Sequence, residues 1–123
     1  MPILEVEIVQ PEGVPLDPAL AAGIADAAGE VFESAPMRTW VRLRALPLSQ
    51  YAENGGGPPQ GVAPVFVTVL KGALPPPDRR QEEVRQLTQR IAVVCRRPAE
   101  NVHVLYSPDG AGRAAFGGRL VEW

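Results

Sequence analysis

The residue of this chain with the most distinctive chemistry is its second. The chain opens Met1-Pro2-Ile3. Methionine aminopeptidases remove Met before small residues, so the mature chain is expected to begin at Pro2. Its nitrogen would then be a secondary amine, the only cyclic amine a ribosomal chain can present. An ordinary α-amino group titrates at about 7.7–8.0. An apolar pocket or neighbouring cations lower that value by disfavouring the charged form. A base whose pKa lies near ambient pH is suited to proton transfer. The competing reading is conformational, since proline is also tolerated at the start of an edge strand. Cys95 is the single cysteine, which excludes an internal disulfide and a cysteine-rich zinc site and fits a reducing cytoplasm.

The elements that would position Pro2 follow from periodicity. Residues 3–9 alternate, with Leu4, Val6 and Ile8 on one side and Glu5 and Glu7 on the other, as in a half-buried strand. Asp17-Pro18 reads as a helix cap with proline at the first helical position. Leu20, Ile24, Ala28, Val31 and Phe32 then recur at helical spacing, and Pro36 closes the run. Trp40–Leu46 is strand-like, and Ser49–Val62 is a loop or hairpin rich in glycine and proline. The order then repeats. Val65–Leu70 is a strand, and Asp78 is a candidate cap with Gln81 three residues on. Val84, Leu87, Ile91 and Val94 form a second stripe, ended by Pro98. Val102–Tyr106 is a strand, Ser107–Gly118 a glycine-rich hairpin, and Arg119–Trp123 a short edge strand.

Landmarks recur at a nearly constant offset. Pro2 and Pro64, like Pro36 and Pro98, are 62 apart, and Val41 and Val102 are 61 apart, as are Gly56-Gly57 and Gly117-Gly118. This reads as a duplicated β-α-β unit, about 2–62 and 64–123, within one domain spanning 1–123. With right-handed crossovers, an α/β (α+β) fold results: a four-stranded mixed sheet with two helices on one face. The other face should stay apolar, through Leu4, Val6 and Ile8 or their counterparts, and so call for a partner copy.

The 123 residues suffice for one core. Charges are uneven: three basic against eight acidic residues in 1–62, and nine against six in 63–123. That pattern suits halves or subunits meeting face to face. An overall charge of −2 and 6% aromatics argue against nucleic-acid binding, and no apolar run approaches the roughly 20 residues of a membrane helix.

The Met1-Pro2-Ile3 start, the strand Asn101-Val102-His103-Val104 after a proline-closed helix, and Gly112-Arg113-Ala114-Ala115-Phe116-Gly117-Gly118-Arg119-Leu120 resemble the tautomerase superfamily. Its members include 4-oxalocrotonate tautomerase and macrophage migration inhibitory factor. The resemblance covers the whole chain in element order, at the length of a fused, double-unit member. It implies a homotrimer and a cofactor-independent keto–enol tautomerase or isomerase. Its substrate would be a small carboxylate, a 2-oxo acid or its enol. Pro2 would be the catalytic base. Lys71, at the end of the third strand, would clamp the carboxylate. His103 stands where the family places an arginine or tyrosine that reaches a neighbouring subunit's proline. Arg42 is its first-half counterpart and faces either Pro2 or the pseudo-site at Pro64, whose nitrogen is an amide and no base. No metal is implied.

Departures are also visible. Ala114 stands where 4-oxalocrotonate tautomerase has an aromatic. Ala115 falls where a related dehalogenase has its water-activating acid, which disfavours hydration. Two alternatives stay open: a catalytically degenerate oligomer of this fold that binds a ligand or partner protein, and a ferredoxin-like sandwich of similar element order.

Overall fold

A computed structural model describes residues 1–56 and 63–122. The expected loop's last six residues, Gly57 with them, and Trp123 lie outside the described residues. The strands are β1 (Ile3–Gln10), β2 (Trp40–Pro47), β3 (Val65–Leu70), β4 (Val102–Tyr106), β5 (Ala115–Phe116) and β6 (Arg119–Leu120). The helices are α1 (Leu20–Val31) and α2 (Pro77–Cys95). The main sheet has the order β2-β1-β3-β4. β1 pairs parallel with β2 and β3 parallel with β4, while β1 and β3 pair antiparallel with Val6 opposite Val67. Each half therefore contributes a β-α-β crossover, and the halves join strand to strand at the sheet centre.

The core lies between the sheet and both helices. Leu4, Val6 and Ile8 of β1 and Val65, Val67 and Val69 of β3 are buried against Ile24, Ala28, Leu87 and Ile91. The helices approach closely at Gly23, where an added Cβ would stand 3.1 Å from a Val94 methyl carbon. Asp17 accepts the Ala19 N–H at 2.8 Å, just ahead of α1. Asp78 does not cap α2. Pro76 holds the cap position, and Asp78 lies in the first turn, where its charge suits the helix dipole.

The helix-free face is not apolar, contrary to the expectation. Leu4, Val6 and Ile8 all point to the helices, so strand alternation leaves the charged set outside. Glu5 pairs with Arg42 at 2.8 Å and Glu7 with Arg44 at 3.0 Å. Phe66 and His103 continue the second row across the sheet, ring centroids 5.5 Å apart.

The C-terminal segment folds back over one end of the sheet. β5 and β6 are joined by Gly117 and Gly118, with φ of 60° and 85°, the geometry a two-residue hairpin turn demands. The expected edge strand is thus the short arm of a hairpin. The Gly110 N–H donates to the Lys71 carbonyl at 2.7 Å and the Ala111 N–H to that of Gly72 at 3.0 Å. A Cβ on Gly110 would sit 3.2 Å from that Lys71 oxygen. The hairpin's Phe116 meets Trp40 edge to face, with centroids 5.4 Å apart.

Burial on α2 separates two substitutions of similar chemistry. Leu87→Ala, at a fully buried site, should cost about 2–5 kcal/mol in urea unfolding. Val93→Ala, 78% exposed on the same helix, should stay within about 0.5 kcal/mol.

Candidate active site

Pro2 immediately precedes β1, and its carbonyl accepts the Trp40 N–H at 3.0 Å. β1 is a central strand, not an edge, so Pro2 is tolerated because it stands outside the ladder and needs no N–H there. The last registered pair of β1 and β3 is Ile3 with Leu70. Pro2 and Lys71 are the residues one step beyond that pair on the two strands. By alternation both residues share the helix side with Leu4 and Val69. The Met1 thioether meets the Arg38 guanidinium at 3.3 Å.

Lys71 does not stand alone. Its Nζ donates to both oxygens of Glu83 on α2, at 3.1 and 3.0 Å. It also lies 4.6 Å from the centroid of Phe32, in cation–π range. The Tyr106 hydroxyl, from β4, donates to the same carboxylate at 3.1 Å. Burial, then the Glu83 charge, pushes the Tyr106 phenol well above its ordinary range. Lys71 and Tyr106 thus converge on the one carboxylate of Glu83, with Phe32 against the lysine.

The other expected site residues lie elsewhere in the chain. Arg42 and His103 are exposed on the helix-free face, Arg42 paired with Glu5 and His103 stacked near Phe66. Pro2 and Lys71 lie just beyond the same end of the β1–β3 pairing, whereas Arg42 and His103 lie on the other face of the sheet.

Pro64 is buried at the opposite end, and Arg97 occupies the space around it. The guanidinium donates to the carbonyls of Ala63 at 3.0 Å, Cys95 at 3.2 Å and Val9 at 3.2 Å. This clasp ties β1, the lead into β3 and the end of α2 together. Arg97, just past the C-terminal end of α2, therefore ties three backbone segments together. Cys95 is buried, and burial pushes its thiol up. Among the described residues no group of three His, Cys, Asp or Glu side chains gathers as metal ligands.

Sequence reasoning missed Glu83. It sits beside Val84 of the buried stripe on a helix rich in charged residues, so nothing in its spacing marks it. Phe32 was read as core and Tyr106 as core or interface. Their polar and π contacts needed Lys71 in place.

No protein-family model and no curated protein matches the chain. Solved structures do match. A fused 4-OT symmetric trimer superposes with TM-score 0.76 at 17% identity, over 97% of this chain and 94% of that one. Leishmania major MIF2 gives 0.73 at 18%, over 98% and 97%. Pt0534 inactivated by 2-oxo-3-pentynoate gives 0.72 at 17%, over 96% and 94%.

The chain has the tautomerase-superfamily fold.

Agreement over nearly the full length of both chains excludes a ferredoxin-like sandwich and extends the tautomerase fold through the C-terminal hairpin. Among the described residues no helix is long and apolar enough to cross a membrane.

The Tyr106 contact gives this tautomerase fold an alkaline signature. Unfolded, tyrosine ionises near about 10; folded, Tyr106 keeps its proton to higher pH. Above that value the folded state holds more protons, so stability falls as pH rises. Melting curves from pH 8 to pH 11.5 should show this decline, and Tyr106→Phe should flatten it.

Proposed function

We propose that this chain is a cofactor-independent keto–enol tautomerase or isomerase. Its substrate is a small enolisable carbonyl compound of the 2-oxo-acid type, and its base is the Pro2 amine. The observation that carries the reading is the place of Pro2 at the head of a central strand, just before the Ile3–Leu70 pair that Lys71 follows on the other side. Its support is a fold shared with 4-OT structures and with a protein inactivated by 2-oxo-3-pentynoate. The neutral amine takes a proton from the carbon next to the carbonyl, and the electron pair passes to oxygen as an enolate. The pyrrolidinium then returns the proton to another carbon or to oxygen, restoring the amine. Nearby positive charge favours both the neutral base and the enolate.

The reading requires a chain that starts at Pro2, because with Met1 attached the nitrogen is an amide. It also extends to a homo-oligomer, a trimer like the fused 4-OT structures, in the cytoplasm. His103 and Arg42 face away from their own Pro2, so they serve such a site only from a second copy. Exposed Trp40, Leu105 and Leu120 offer apolar contact for that copy.

A degenerate, binding-only oligomer is the second reading, favoured by one observation: the Lys71 charge is already paired by Glu83. Enol ketonisation assays on protein whose intact mass shows Met1 removed separate the two. Turnover of phenylenolpyruvate that falls at least about a hundredfold in Pro2→Ala, with folding matched by circular dichroism, supports the enzyme. Equal rates in both proteins refute the proline base, and absence of turnover across a panel of small enols supports the second reading.

A further inference from the structure

Lys71 is the cation the fold sets beside Pro2, and its charge is answered from within the chain. Glu83 presents both oxygens to Nζ at 3.0 and 3.1 Å. Tyr106 donates to the same carboxylate from β4 at 3.1 Å, and Phe32 stands over the ammonium. The Lys71 and Glu83 side chains are only 17% and 13% exposed, so this pair is poorly screened by solvent compared with the exposed pairs of the open face. A carboxylate against an ammonium, with a phenol donating to it, is the arrangement a ligand carboxylate would make at Lys71. Glu83 already fills that place.

An incoming carboxylate then has two courses. It can displace Glu83 and leave a largely buried carboxylate without its cation. Or it can lie beside Glu83, two anions sharing one cation, which the like charges oppose. An uncharged carbonyl or enol meets neither cost.

We propose that Glu83 is a specificity-determining residue: it occupies Lys71 and turns the Pro2 site toward enolisable aldehydes, ketones or esters that bring no carboxylate to that position. The proposal rests on proton transfer at Pro2 and replaces the 2-oxo acid as its substrate with an uncharged carbonyl compound.

Titration calorimetry on the Met1-processed chain tests it, with phenylpyruvate and its uncharged methyl ester as probes. The proteins are the wild type, Glu83→Gln, and the double variant Lys71→Gln/Glu83→Gln. Glutamine keeps an acceptor for Tyr106 while removing the charge. The wild type should bind the ester at least as tightly as the acid. Glu83→Gln uncovers the Lys71 charge, so acid affinity relative to ester should rise about tenfold or more. The double variant should return to the wild-type ratio. An unchanged ratio in Glu83→Gln overturns the proposal. So does a wild type that prefers the acid tenfold and loses that preference in the double variant, or a wild type that binds neither probe. If Glu83→Gln fails to fold, the wild-type and double-variant ratios decide alone. Calorimetry needs no turnover, so a shifted ratio without catalysis refutes only the enzyme reading. Catalysis abolished by Pro2→Ala with an unmoved ratio refutes only the role of Glu83.

Discussion

The antiparallel pairing of β1 with β3 is the constraint on which the rest depends. It joins two β-α-β units into one sheet and centres their shared core on Val6 and Val67. A slip of one residue would turn Leu4, Val6 and Ile8 out of the core and Glu5 and Glu7 into it. Burial of three apolar residues from each central strand makes that slip prohibitive. The same register ends at Ile3 and Leu70, the neighbours of Pro2 and Lys71. The core therefore sets the geometry of the candidate site.

The two ends of this pairing resemble each other in backbone and differ in chemistry. At the Pro2 end a lysine, a glutamate, a tyrosine and a phenylalanine assemble from four elements. At the Pro64 end the Arg97 guanidinium is taken up by backbone carbonyls. Among the described residues, backbone carbonyls and not a carboxylate hold that arginine. The duplicated frame thus carries one end with titratable side chains and one end clasped shut. Between them, the helix-free face is crossed by exposed ion pairs, each worth at most about 1 kcal/mol. Those pairs make that face polar and contribute little to stability.

The C-terminal hairpin is a third participant. Its backbone grips the carbonyls of Lys71 and Gly72, and its Phe116 holds Trp40. Trp40 donates to the Pro2 carbonyl and Lys71 follows β3, so the C-terminal segment holds backbone on both strands next to β1. Gly110 permits the close approach, because a side chain there would collide with the Lys71 oxygen.

Local rules made much of the fold legible in the sequence. Alternation marked β1 and β3, helical stripes marked α1 and α2, prolines marked their ends, and the recurring offset revealed the two units. Glycines marked the C-terminal turn region, but only the fold joined Ala115–Phe116 and Arg119–Leu120 as the two arms of a hairpin. Pro2 stood out because its chemistry comes from being first in the processed chain, which no fold needs to supply. What the sequence left open were contacts between residues distant along the chain. Leu4, Val6 and Ile8 were assigned a common face, but only packing against both helices decided which one. Arg42 and His103 were placed on strands, yet their direction depended on that same choice. Glu83 was invisible, because a carboxylate on a charged helix acquires meaning only when a lysine 12 residues away meets it in a poorly solvated corner. Periodicity is a short-range property of the chain; the pairing of buried charges is set by tertiary packing.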